Sequence, residues 1–144
     1  MKFNIFITLI FSGIIFGVGC DAIKNLPTNT TGTLFSLNGS WKLKSTSEGS
    51  NLVGTIITVY PLAGNAIVKT ITNNNNCIRK NDELWKSVKS NSAGGFNHTL
   101  LVTACNDATV YKDGTITVIS NDKININSYT ASNKPLTQNW ERVK

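Results

Sequence analysis

From residue 37 onward, apolar side chains come in short runs that alternate with polar ones, and turn-forming residues close each run. The first run is 39–45, where Trp41 and Leu43 alternate with Lys42 and Lys44. Others follow at 55–60, 65–72, 84–89, 96–105, 109–112, 115–119, 123–127 and 138–143, separated by Pro61 and Gly64, by the asparagines at 73–76, by Asp113-Gly114 and by Asn121-Asp122. A period of two sends successive side chains to opposite faces of a strand, and no stretch holds a helical period beyond a single turn. Eight or nine strands at a spacing of roughly 8–15 residues predict an all-β domain over 37–144, an antiparallel sandwich or barrel. Asp113-Gly114 tolerates the positive φ angles of a type I′ turn, so it predicts a tight hairpin between 110–112 and 115–119. Closing the sheet into a barrel removes its exposed edges. The apolar set offered to an interior is Ile56, Val59, Ile67, Val68, Phe96, Leu100, Val102, Val110, Ile116, Val118, Ile124 and Ile126. That set leaves open whether the interior is filled by side chains or holds a pocket.

The first twenty residues break this pattern. Lys2 precedes a stretch of Ile, Phe and Leu from Phe3 to Phe16, and small residues then lead to Cys20. A basic start, an apolar middle and a small-residue exit make up a secretory signal. The apolar run ends at Gly19 and is at the short limit for spanning a bilayer. Residues 1–19 are therefore read as a signal peptide, removed before Cys20. Residues 20–36, rich in Asn, Thr and Gly with almost no charge, are read as a flexible tether.

Gly17-Val18-Gly19-Cys20 resembles the lipobox of bacterial lipoproteins, with Gly17 where Leu is usual. The resemblance implies acylation of Cys20, palmitate among the chains, and a place in the bacterial cell envelope, as an outer-membrane lipoprotein facing the periplasm or the cell surface. Several acyl chains anchor far more firmly than one, since each buried methylene contributes about 0.8 kcal/mol. With Cys20 lipidated, Cys77 and Cys105 remain, either as a disulfide or as two buried thiols. A bridge between them stabilises by roughly 3 kcal/mol through the loop it closes.

Gly39-Ser40-Trp41 opens the first strand, and Arg142 sits in the last, in Asn139-Trp140-Glu141-Arg142-Val143. This order resembles the structural signature of the lipocalin-like (calycin) proteins. It implies a single up-and-down barrel of about eight strands, with Gly39 and Trp41 at one closed end and the Arg142 guanidinium lying across the indole. Such a cation–π contact is worth roughly 0.5–2 kcal/mol.

Chemistry is sparse. His98 is the single histidine, and a lone histidine builds no zinc site. It is expected as a rim or hydrogen-bonded residue on the face of Phe96, Leu100 and Val102. Asp82 and Glu83 are adjacent and would point to opposite faces, which suits no acid–base pair. No nucleophile elbow, phosphate loop or metal motif occurs, so neither catalysis nor a cofactor is expected. The net charge of +6 and a pI near 9.4 come from scattered residues without a basic run, so the excess reads as a solvated surface and not as a nucleic-acid site. The expectation is a monomeric, non-catalytic, membrane-anchored barrel holding a small hydrophobic ligand, with a pocket mouth near Tyr60, Trp85, His98 and Tyr129. Two alternatives stand beside it. One is an inhibitor or interaction module acting through the loops at 73–76 and 90–95, as small barrel lipoproteins that inhibit lysozyme do; the other is a structural envelope component with an unknown partner.

Overall fold

The computed structural model describes residues 35–72, 76–106 and 108–144. The stretch read as a signal peptide, Cys20, the stretch read as a tether up to residue 34 and three of the four asparagines at 73–76 lie outside the described residues. Eight strands follow in order: β1 (Gly39–Thr46), β2 (Ile56–Tyr60), β3 (Asn65–Thr70), β4 (Glu83–Ser90), β5 (Phe96–Thr103), β6 (Val110–Ser120), β7 (Lys123–Tyr129) and β8 (Pro135–Arg142). Each pairs antiparallel with the next, and β8 returns to β1, so the sheet is a closed up-and-down barrel. A 3-10 turn, Ser50–Leu52, lies between β1 and β2.

Alternation decides which residues fill the barrel. In β7, Ile124, Ile126 and Ser128 are buried while their neighbours are not, and β8 does the same with Leu136, Gln138 and Trp140. Three tryptophans, Trp41, Trp85 and Trp140, are fully buried. Trp85 and Trp140 meet edge to face with ring centroids 5.5 Å apart, a favoured aromatic geometry. In β2 and β3 the inward phase belongs to Ile57, Val59, Ala66 and Val68, so Ile56 and Ile67 are only half-buried, as are Val110 and Val118 in β6. Of the expected interior set, Ile56 and Ile67 are the departures, whereas Val110 and Val118 still pack against the core.

Two expectations change. Phe35 is fully buried and packs on Trp41 and Phe96, so the packed body takes in the last two residues of the stretch read as tether. The hairpin expected at Asp113-Gly114 does not form: β6 runs straight through, and Gly114 pairs with His98 of β5. The glycine serves close approach, because a Cβ there would stand 2.8 Å from both the Asn127 carbonyl oxygen and His98 Cε1. An isolated glycine in a strand often has this role. The real reversal comes at Asn121-Asp122, between β6 and β7.

One end of the barrel is sealed by Arg142. Its guanidinium carbon lies 4.3 Å from the centre of the Trp41 ring. Nη1 donates to the Asn38 carbonyl at 2.7 Å, Nη2 to that of Ser36 at 2.6 Å and Nε to that of Asn121 at 3.0 Å. Trp41 Nε1 donates to the Leu37 carbonyl at 2.9 Å. Gly39 has φ +119, and a Cβ there would press on Arg142 Nη1 at 3.0 Å, so the position two residues before Trp41 must be small and left-handed. At the other end, Cys77 and Cys105 form a disulfide with Cα atoms 5.0 Å apart, tying the β3–β4 loop to the β5–β6 loop.

Arg142→Lys keeps the charge but loses the planar fork that reaches three carbonyls. Charge-assisted hydrogen bonds contribute about 1.5–3 kcal/mol each, so a loss of about 2–4 kcal/mol is expected in urea unfolding. A midpoint unchanged from wild type would show that the seal carries no stability. Reduction of Cys77–Cys105 should remove about 3 kcal/mol, read as a lower unfolding midpoint with reductant than without it.

Candidate functional site

His98 stands inside the wall and not at a rim. It is 2 % exposed, and its ring meets Trp85 edge-on at 5.6 Å between centroids. Among the described residues neither ring nitrogen has a hydrogen-bond partner, and Trp85 Nε1 has none. Burial is the main force on its protonation and draws its pKa from the ordinary 6.5 to about 4; the Gly114 backbone, close but outside hydrogen-bond geometry, opposes the shift. His98 is therefore neutral at physiological pH and serves as a packed ring. Gln138, the other large polar group inside, accepts from Trp140 Nε1 at 3.1 Å.

Little room remains within. An enclosed space between Leu43, Ile78, Leu84, Leu100 and Trp140 measures about 10 Å³, barely enough for one water molecule. A larger concavity lies at the end opposite Arg142. It is a cup of about 390 Å³ with Leu52, Leu100, Leu101 and Leu136 in its wall and Glu48, Asn76, Thr130, Lys134 and Gln138 among its polar groups. That volume falls in the range of small-molecule sites.

Three loops make the wall, and each is pinned. In the β1–β2 loop, Thr55 Oγ1 donates to the Leu52 carbonyl at 2.6 Å. In the β3–β4 loop, Asn76 Nδ2 donates to the Val102 carbonyl at 2.7 Å, beside the Cys77–Cys105 bridge. In the β7–β8 turn, the Thr130 N–H donates to the Lys134 carbonyl at 2.8 Å, and Lys112 Nζ donates to Asn133 Oδ1 at 2.6 Å. A rim held this way loses little freedom when something binds.

Of the four residues expected around a mouth, the barrel brings together Trp85 and His98, both in the interior. Tyr60 ends β2 at the Arg142 end, and Tyr129 ends β7 at the open end; both are exposed. The cup was missed because its residues come from turns and strand ends, where no periodicity marks them. One signal was present: Gln138 shares the inward phase of Leu136 and Trp140, and a polar side chain in that phase points toward a rim or a buried bond. Among the described residues no cluster of three His, Cys, Asp or Glu side chains could hold a metal ion. No family model, curated protein or solved structure matches this chain.

Because His98 titrates near 6.5 when unfolded and near 4 when folded, the unfolded chain binds more protons between those values. Stability from this group is therefore complete above about pH 6.5 and lost as pH falls toward 4, a change of about 3 kcal/mol. Unfolding midpoints measured across that interval should fall for wild type and flatten for His98→Phe. Equal slopes in both proteins would assign the acid sensitivity elsewhere.

Proposed function

We propose that this chain is an exported, membrane-tethered, non-catalytic binding protein that takes a small ligand in the cup at the open end of its barrel. The observation that carries the reading is the asymmetry of the two ends: Arg142 and Trp41 seal one, and the other holds the pinned cup with leucines in its wall. The order of Gly39, Trp41 and Arg142, now joined in one contact, favours the calycin resemblance, whose members commonly bind ligands in such barrels. The signal segment and the lipobox-like Cys20 favour export and lipid anchoring in a bacterial envelope. With the interior occupied by tryptophans, the ligand rests at the mouth. Its apolar body faces Leu100, Leu101 and Leu136, and a polar or anionic group lies toward Lys134.

The same packed interior favours a second reading, in which the loops around the cup grip a protein and the barrel only holds them in place. Native mass spectrometry of the protein purified from its host separates the two. A co-purifying small molecule supports the first reading and a protein adduct the second.

The cup itself is tested with anilinonaphthalene sulfonate, an apolar anion. Ala131→Trp fills the mouth from an exposed turn, and Lys134→Glu reverses the charge at its rim. Each should weaken probe binding at least tenfold by fluorescence titration, equivalent to about 1.4 kcal/mol. Wild-type affinity in both variants overturns the cup as the site. Membrane tethering is tested by Cys20→Ser, which should move the protein from the membrane fraction to the soluble one; retention in the membrane overturns the anchor.

A further inference from the structure

The outer face of β5 to β8 differs from the rest of the surface. Strand register places Asn97, Thr115, Asn127 and Thr137 in one row across four strands. The next row runs Thr117, Asn125, Asn139 and Ser45, from β6 round to β1. All eight side chains are uncharged amides or hydroxyls, although the chain carries 14 Lys and Arg and 8 Asp and Glu. Charges return one rung nearer the Arg142 end, where Glu141 meets Lys44 and Lys123, and on the neighbouring β4 at Lys86 and Lys89. The uncharged face is a bounded island.

Part of this island is concave. A groove of about 680 Å³ crosses it, with Asn97, Thr115, Asn127 and Thr137 along it and Tyr129 and Pro135 at one edge. Gly114 contributes no side chain to its floor. Asp113 is the one group in its lining that carries charge at neutral pH, since His98 is neutral there. Internal bonds occupy the amide oxygens: Thr137 Oγ1 donates to Asn127 Oδ1 at 3.2 Å, and Asn91 Nδ2 donates to Asn97 Oδ1 at 3.1 Å. The amide nitrogens of Asn97 and Asn127, both exposed residues, are then left as donors, beside hydroxyls that both give and accept. Tyr129, about half exposed, adds an aromatic surface for the apolar face of a ring.

We propose that this groove binds a neutral glycan chain. A surface with paired donors and acceptors, no cation and one flanking tyrosine matches a polyol. The cation nearest this row is Lys89, which pairs with Asn97 from the neighbouring strand, so the groove lining itself gives a polyanion no charge to meet despite the net charge of +6. Rows recur from strand to strand about every 4.8 Å, close to the length of one sugar residue in an extended polysaccharide, so successive residues meet equivalent side chains on β6, β7 and β8. The groove shares only the buried Leu136 with the cup, and it stands whether or not the cup binds anything.

The test is affinity electrophoresis of the full chain in nonionic detergent, through gels containing dextran, laminarin, xylan or mannan, with heparin as the anionic comparison. Retardation by at least one neutral polymer is expected, unchanged by added salt, since screening acts on charges. Tyr129→Ala and Asn127→Ala, both at exposed positions, should each weaken it at least tenfold with the unfolding midpoint preserved. Ala131→Trp, in the cup, should leave it within twofold. No retardation by any neutral polymer, retardation by heparin alone, full binding in both groove variants, or loss in Ala131→Trp overturns the proposal.

Discussion

A guanidinium has donors on three nitrogens in one rigid plane, and Arg142 directs all three at carbonyls from separate parts of the chain. Ser36 and Asn38 come from the segment that enters the barrel, and Asn121 comes from the β6–β7 turn. The same plane covers the Trp41 indole. Burial draws the Arg142 pKa below its ordinary value and Asp122 opposes this, yet a guanidinium remains charged. It can therefore satisfy carbonyls that closure would otherwise leave without partners. The first and last strands pair directly at Trp41 and Arg142, so one side chain joins closure of the sheet to closure of its end.

The interior follows from that closure. An eight-stranded barrel is just wide enough to be filled by side chains or to hold one small ligand, and here three indoles take up the volume. Trp140 finds a partner in Gln138, whereas Trp85 Nε1 and both His98 nitrogens find none among the described residues. Leaving a buried polar group unmatched costs about 1–3 kcal/mol. Trp85 and His98 meet ring to ring, and Gly114 lets β6 approach the His98 ring closely; Asn65 Oδ1 and Asn125 Oδ1 are likewise buried without a partner among the described residues.

The strands were legible in the sequence because each rests on a local rule, whereas their up-and-down order and the closing contact were expected only from the resemblance carried by Gly39, Trp41 and Arg142. Period-two alternation marks a wall with one wet face, and Asn121-Asp122 marks a turn. Asp113-Gly114 misled for a physical reason: the same dipeptide suits a tight turn and a strand that needs no side chain at one point. Only the position of His98 on the adjacent strand distinguishes the two, and that is a tertiary fact. The phase of β2 and β3 was hidden similarly, since Ile56-Ile57 and Ile67-Val68 offer an apolar side chain to either face. The cup and the groove were beyond reach for a simpler reason. Their residues lie far apart in the chain, and only the register brings Asn97, Thr115, Asn127 and Thr137 into one row.

With one end sealed and the centre packed, binding surfaces can lie only at the open mouth or on the outer wall. The two suit different chemistry. Leucines around the cup exclude water from an apolar body, and their worth grows with the area covered. The outer rows bury little apolar area and instead exchange hydrogen bonds with a partner that was itself hydrated, a nearly balanced trade in which geometry decides the outcome. A rigid wall favours that second kind of recognition, because donors fixed by strand register lose little freedom when a ligand settles on them. The packed tryptophan core thus takes space away from a deep pocket and, by holding the sheet stiff, makes its outer face a better template.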